Sequence, residues 1–269
     1  MRSRASEWHE ERVGLVPTMG ALHAGHRSLI ERARSENSRV VVSIFVNPIQ
    51  FGPNEDLDHY PRPIEADLDM LRSEGVDCVY MPRARDMYPE GATTRVLVDG
   101  VALPLEGQAR PGHFEGVATV VTKLLWAVRP GRAYFGQKDA QQVAVVKRLA
   151  ADLDTGVEIV VCPTVREADG LAVSSRNAYL SPQERAAAAS LRRALHAAAD
   201  SYRSGERDPA VLRGRLREVI EREPLAAIDY AEVVDPGDFS SPGRLAVLAV
   251  RFGKTRLIDN HDLENSYSG

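Results

Sequence analysis

Residues 13–30, VGLVPTMGALHAGHRSLI, constrain the fold more than any other stretch. Residues 13–16 are a short apolar run suited to a buried strand, and Pro17, which has no N–H to give to a ladder, is expected to end it. Gly20 and Gly25 mark backbone that must bend or come close to a ligand. Leu22, Leu29, Ile30 and Ala33 then recur at helical spacing. A strand passing through a turn into a helix is the first half of a βαβ unit, and His23 and His26 fall where that helix begins. A helix start offers unsatisfied N–H groups and the positive end of the macrodipole, so imidazole donors there suit a polyphosphate. Zinc is the other sharp reading of two histidines; with no Glu or third His nearby it is set aside.

The alternation continues. Residues 39–46 (RVVVSIFV) form a continuous β-branched run, the pattern of a strand covered on both faces. Ligand groups in open α/β sheets lie beyond the carboxyl ends of strands, so Asn47, Gln50 and the polar stretch up to Tyr60 are directed to the same cleft as the histidines. Ile64, Leu68 and Leu71 space a helix, and a strand is expected at 76–81, followed by a loop with Pro82, Pro89 and Gly91 and then residues 95–98. A Gly- and Pro-rich turn follows through Gln108, Arg110, Pro111, Gly112 and His113. Val117, Val120, Val121, Leu124, Leu125 and Val128 fall on one helical face, with Gly116 expected to open it towards the occupant of the cleft. A strand at 133–135 delivers Gly136-Gln137-Lys138-Asp139 into a turn, and a helix carries Gln141 and Gln142 onward. Lysine beside aspartate suits phosphate neutralisation with magnesium or a ribose contact, and equally suits plain surface charge. A further strand is expected at 157–161.

Residues 166–177 (READGLAVSSRN) read as a mobile polar loop in which Ser174, Ser175 and Arg176 offer donors for a triphosphate; a solvated linker is the simpler alternative. The order then changes. Ser181-Pro182-Gln183-Glu184 is an N-cap, proline and capping-box glutamate, starting an alanine-rich helix expected to reach Arg203. Asp208-Pro209 starts another, with Val211, Leu212, Leu216, Val219 and Ile220 inward. Strands follow at 228–234, 244–252 and 255–259, the last two joined by Gly253-Lys254 as a type II′ hairpin turn. The fold expected is α/β: a Rossmann-like parallel-sheet domain over residues 1–164 and a smaller α+β domain of two helices and an antiparallel sheet over 165–269.

Composition excludes several classes of function. A net charge of −4 argues against covering a nucleic-acid backbone. No apolar run approaches the ~20 residues needed to span a bilayer, and MRSRASEWHEER lacks the apolar core of a signal peptide, so a cytoplasmic protein is expected. The two cysteines, Cys78 and Cys162, sit in strand-like runs without a pairing pattern and read as buried reduced thiols.

Taken together, PTMGALHAGH (17–26), SIFVNPIQFG (43–52), YPR (60–62), GHFEGVATVV (112–121), FGQKDAQQ (135–142) and READGLAVSSRN (166–177) resemble the pantoate–β-alanine ligase family, in order and over nearly the whole chain. The resemblance implies ATP- and Mg2+-dependent joining of pantoate to β-alanine through a pantoyl-adenylate, with release of AMP and pyrophosphate. It implies a nucleotidyltransferase catalytic domain, a C-terminal domain acting as a lid, and a homodimer. In its light His23 and His26 match the pair that stabilises charge on the transferring phosphates, Lys138 matches the phosphate-binding lysine, and Ser174, Ser175 and Arg176 match the ATP-contacting loop. Asp139 matches a residue near the ribose, and Gly136, Thr164 and Val165 the nucleoside pocket. Gln50 and Gln142 match the pantoate-holding pair, with Pro17, Met19 and Val117 against its gem-dimethyl group. Asn47 and Tyr60 match the β-alanine side, and Asp67 a magnesium partner.

The residue types agree with that chemistry. A carboxylate attacking the α-phosphate is already ionised near neutral pH and needs no general base, so positioning and cationic stabilisation of pyrophosphate carry the reaction. Three departures stand out. Gln137 replaces the family's Glu, Val173 replaces a Met at the adenine pocket, and only a dozen residues precede the first strand, which bears on the sheet's flank or a dimer contact. Another small-molecule nucleotidyltransferase and a non-catalytic nucleotide sensor of the same fold are the competing readings.

Overall fold

Five apolar segments pair as one parallel sheet in the computed structural model, which describes residues 1–8, 11–53 and 55–265. They are β1 (Val13–Thr18), β2 (Arg39–Ile44), β3 (Cys78–Tyr80), β4 (Arg132–Gly136) and β5 (Glu158–Cys162), in the order β3-β2-β1-β4-β5. The order reverses between β1 and β4, so the crevice at their carboxyl ends is the topological switch point where such sheets take ligands. The helices Ala24–Glu36, Ile64–Ser73, His113–Val128 and Ala140–Asp152 run between or beside these strands. Val16, Ile30, Ala33, Val40, Val42, Leu71 and Tyr134 form a core in which β-branched strand residues meet the apolar face of Ala24–Glu36. A short helix, Arg2–Glu7, precedes β1.

The chain divides into two compact units, Met1–Gln137 with Gln142–Pro163, and Lys138–Gln141 with Thr164–Gly269. The second is built on an antiparallel sheet, β6 (Ala226–Val234), β7 (Leu245–Phe252) and β8 (Thr255–Asp262), in sequence order. Leu191, Ala194, Leu195 and Ala198 of helix Ser190–Arg203 pack with Leu212, Leu216 and Ile220 of helix Pro209–Glu221 over Ala231, Leu248 and Val250. The helices that begin at Pro182 and Pro209 carry the expected caps: Ser181 Oγ accepts from Glu184 N–H while Glu184 reaches back to Ser181 N–H, and Asp208 accepts from Ala210 N–H.

Several expectations are corrected. Pro17 does not end β1, which runs on to Thr18 beside β2. Val13 O accepts from Gly131 N–H at 2.9 Å, so alternate residues 13, 15 and 17 turn their backbone polar groups towards β4, whose pairing with β1 has already stopped at Leu15. Proline thus ends the ladder with β4, a strand that itself runs on to Gly136, and leaves the ladder with β2 intact. The alanine-rich helix is divided into Pro182–Ala188 and Ser190–Arg203, because Ala189 at ψ −15° tightens the turn between them. Val211 is exposed, leaving Leu212, Leu216 and Ile220 as the inward stripe. Cys162 is buried but Cys78 only half-buried; both thiols are reduced.

Candidate active site

The turn after β1 is held from two sides. Thr18 Oγ1 donates to Ser43 O at 2.7 Å and accepts from Gly20 N–H at 3.2 Å. Gly20 and Ala21 lie at positive φ, 83° and 50°. A Cβ on Gly20 would come within 2.9 Å of Asp67 Oδ2, so glycine is required by both backbone and space. The Asp67 carboxylate accepts from Ala21 N–H at 2.9 Å and Leu22 N–H at 2.8 Å. Asp67 is 2% exposed, and the magnesium role the resemblance suggested for it is withdrawn: its oxygens are turned to backbone donors inside the protein.

The turn ends at His23, whose extended backbone makes it the N-cap of Ala24–Glu36. Its Nδ1 accepts from Gly25 N–H at 3.2 Å, and His26 Nδ1 accepts from His23 N–H at 3.4 Å, a capping box built from two imidazoles. Because each Nδ1 is an acceptor, the neutral ring carries its proton on Nε2. The rings lie 4.1 Å apart, centroid to centroid. The helix start thus provides two imidazole N–H donors of defined tautomer beside its own N–H groups, a site for an anion.

A second cluster stands beyond β2. Gln50 Nε2 donates to Met19 Sδ at 3.3 Å, and Gln50 Oε1 accepts from Asn47 Nδ2 at 2.9 Å. Asn47, 1% exposed, also donates to Gly116 O at 3.1 Å and accepts from Tyr88 OH at 2.7 Å. Its amide is therefore engaged by protein groups on both sides. Val117 is buried one residue beyond that carbonyl, and Tyr60 packs edge-on to Phe51. Gly116 does not open the helix to a ligand. A Cβ there would lie 2.5 Å from Ile49 O and 2.6 Å from Gln50 Cα, so the glycine admits the backbone that carries Gln50. Pro17 and Gln142 are half-buried and join none of these bonds.

His113 and its neighbours are residues the sequence reading saw only as a turn. His113 Nδ1 bonds Gln50 O at 2.9 Å, its Nε2 lies 3.0 Å from Arg110 Nη1, and Arg110 pairs with Glu55 through two bonds of 2.8 and 2.6 Å. Burial, reinforced by the Arg110 charge, pushes the His113 pKa from 6.5 down to about 4, against the opposing pull of Glu106 and Glu55. The imidazole is neutral in the folded state, while in the unfolded chain it protonates below about 6.5. Folding therefore loses stability as pH falls from about 6.5 to 4, on the order of 3 kcal/mol over the whole window from this group. Melting temperatures measured from pH 7.5 to 4 are expected to fall less steeply in His113→Asn than in the parent below pH 6.5 and to run parallel above it. Equal slopes throughout would contradict a buried neutral imidazole.

In the second unit, Lys138 Nζ lies 3.5 Å from Asp139 Oδ1, and Lys138 O accepts from Asn260 Nδ2 at 2.9 Å. Residues 166–177 are not a loose loop. Arg166 bridges to Ala172 in a β-bridge and forks onto the buried Asp259 at 2.7 and 2.9 Å. Asn177 Nδ2 donates to Glu167 Oε1 and Ala172 O, and Arg185 spans Glu167 and Asp169, each at 2.6 Å, holding the Asp169 carboxyl below the usual range. These bonds tie the polar run to itself and to Arg185 and Asp259, which the composition alone could not reveal. Val173 N–H donates to Val165 O at 2.9 Å, next to Thr164, and Ser174 Oγ accepts from Arg176 N–H at 3.3 Å. Ser175 and Arg176 thus enter a 3-10 turn, Ser175–Tyr179, from a fixed start. Gly136 closes β4 in the first unit.

Among the described residues no group of three or more His, Cys, Asp or Glu side chains could hold a metal ion. No helix is long and apolar enough to cross a membrane.

Comparison with known proteins agrees with this arrangement. The family model for pantoate-beta-alanine ligase matches residues 1–262. A pantothenate synthetase from Roseiflexus castenholzii is 57% identical over 257 residues, 94% of this chain and 92% of its own length. One from Herpetosiphon aurantiacus is 52% identical over 266 residues, 97% and 96%. The crystal structure of pantothenate synthetase from Thermus thermophilus superposes with a TM-score of 0.92 at 46% identity, covering 97% of this chain and 98% of the other. The Francisella tularensis pantoate-beta-alanine ligase, complexed with beta-gamma ATP and beta-alanine, gives 0.81 at 37% identity, covering 97% and 95%. The imidazole-capped helix start, the Gln50–Asn47 cluster and the Ser-Ser-Arg turn lie within a match of sequence and fold that spans nearly the whole chain, which belongs to the pantoate–β-alanine ligase family.

Proposed function

We propose that the protein condenses pantoate with β-alanine at the expense of ATP, forming pantothenate, AMP and pyrophosphate through a pantoyl-adenylate. The observation that carries this reading is the imidazole capping box at the switch point of the sheet, within a chain of this family. In the first step the pantoate carboxylate attacks the α-phosphorus and the bond to the β-phosphate bridging oxygen breaks, so negative charge grows on pyrophosphate. His23 and His26 donate through Nε2–H to that charge, and Lys138 and Arg176 neutralise it. Gly136, Asp139, Thr164, Val165, Val173, Ser174 and Ser175 hold the nucleotide. Gln50 and Gln142 bind the hydroxyl and carboxylate of pantoate, and Pro17, Met19 and Val117 pack on its methyl groups. In the second step the neutral amine of β-alanine, on the side of Asn47 and Tyr60, attacks the acyl carbon and AMP leaves.

Magnesium belongs to this reading as the ion that accompanies ATP. The chain's own donors do not fit a protein-built magnesium cage, since Asp67 is committed to the β1 turn and no three-carboxylate or histidine cluster stands among the described residues. A homodimer in the cytoplasm completes the proposal.

The decisive assay mixes ATP, magnesium, pantoate and β-alanine and follows AMP. AMP release that requires pantoate is expected, and pantoate labelled with oxygen-18 in its carboxylate should pass one label to AMP. Label in inorganic phosphate alongside ADP would mean an acyl-phosphate route, and no pantoate-dependent AMP would mean a different substrate or a sensor.

A further inference from the structure

Gln50 sits in a turn that is weakly held by its own backbone. The 3-10 turn Pro48–Gln50 is closed by Gln50 N–H to Asn47 O and Phe51 N–H to Pro48 O, both at 3.4 Å, the long end of hydrogen-bond geometry. A glutamine that must recognise a hydroxyl or carboxylate needs its amide fixed to within about 0.5 Å. That restraint comes from outside the turn. Arginine has only donors, so at 3.0 Å from Arg110 the His113 Nε2 must accept, and the ring proton is forced onto Nδ1, where it donates to Gln50 O at 2.9 Å. Arg110 is in turn locked by its two-bond pair with Glu55. His113 and Gln50 are each 8% exposed, so water does not compete for these bonds.

The same helix reinforces the arrangement. His113 is the first residue of His113–Val128; one turn on, Gly116 lets the backbone of Ile49 and Gln50 lie against the helix, and Gly116 O receives the Asn47 amide that also grips Gln50 Oε1. Val117, assigned to the wall of the pantoate pocket, follows on that helix. A shift of His113 therefore moves the polar and apolar halves of one subsite together.

We propose that Glu55, Arg110 and His113 form a positioning array that fixes Gln50, and with it the subsite for the branched hydroxy acid, so that His113 sets affinity for pantoate without touching it. This rests on the assignment of Gln50 to pantoate made above. Its mark is a change confined to one substrate. Initial rates of AMP formation are measured with pantoate, ATP and β-alanine varied in turn, for the parent, His113→Phe, His113→Asn and Arg110→Met. In His113→Phe the KM for pantoate is expected to rise about tenfold, the scale of one lost ordering hydrogen bond, with KM for ATP and β-alanine within about twofold and kcat changed less than KM. His113→Asn retains an N–H near the Nδ1 position and should recover most of that loss. Arg110→Met, which leaves the imidazole in place but releases its tautomer, should raise the pantoate KM by a smaller factor, and it decides the matter if His113→Phe does not fold. Pantoate KM unchanged in the folded variants, or all three KM values shifting alike with a fall in melting temperature, overturns the array as a positioning device. A parent enzyme that makes no pantoate-dependent AMP overturns the substrate assignment instead.

Discussion

His26→Ala is expected to lower pantoate-dependent exchange of pyrophosphate into ATP by about 10²–10³-fold, the effect of deleting one preorganised donor aimed at developing charge. The tautomer argument sharpens this. His26 Nδ1 is occupied by His23 N–H, so the donor this proposal assigns to the phosphates is Nε2–H, and glutamine, whose amide nitrogen reaches a similar position, should restore part of the rate. His23→Ala should cost as much activity and some stability as well, because His23 Nδ1 is the N-cap acceptor for Gly25 N–H, and loss of a cap costs about 1 kcal/mol. Its melting temperature should therefore fall by roughly 2–4 °C. Lys138→Ala separates the two effects. The Lys138 to Asp139 pair at 3.5 Å is partly exposed and contributes about 0–1 kcal/mol, so the rate should fall by about 10²–10³-fold with little change in melting. Exchange rates and melting curves for the three variants check all of this, and undiminished exchange in any of them would remove that residue from the phosphate site.

The parts of the molecule that were legible in the sequence are those governed by local pattern. The β-branched run at 39–46 and the histidines at a helix start each carry their meaning in adjacent residues, as do the Ser181 and Asp208 caps, and the structure agrees with each. Where a partner lies far along the chain, the pattern was silent or misleading. Pro17 looks like a strand end, but its missing N–H faces β4 and ends only that ladder, while pairing with β2 carries the strand on to Thr18. The polar run at 166–177 looks mobile because the acceptor of Arg166, Asp259, and the donor to Glu167 and Asp169, Arg185, lie outside it. In the site, residue types suggested phosphate chemistry at His23 and His26, whereas the substrate roles of Gln50, Asn47 and Gln142 came from family resemblance. A histidine after Pro-Gly reads as a turn, and only the bond to Gln50 O shows that His113 is tied to the turn carrying Gln50.

Asp67→Ala is expected to have the largest effect on stability of any single change near the site. Residues 46 and 45 positions away, Ala21 and Leu22, would lose the acceptor for their N–H groups in a partly buried turn. Each donor left unsatisfied costs about 1–3 kcal/mol, so the variant should lose about 2–6 kcal/mol. The damage should spread to catalysis, because the same turn, strained at Gly20 and Ala21, sets the entry of the chain into His23 and hence the geometry of both imidazoles. Asp67→Asn keeps one acceptor and opposes an amide N–H to the other backbone donor, so its loss should be about half as large. The contrast with a metal ligand is measurable. If Asp67 bound magnesium, its replacement would raise the magnesium concentration for half-maximal rate and leave melting in metal-free buffer unchanged. With the carboxylate serving the turn, melting falls in metal-free buffer for both variants, more for alanine than for asparagine, while the half-saturating magnesium concentration of Asp67→Asn stays at the parent's value. A rise in that concentration without loss of stability would return Asp67 to the metal and leave the turn to be explained by Thr18 and Gly20 alone.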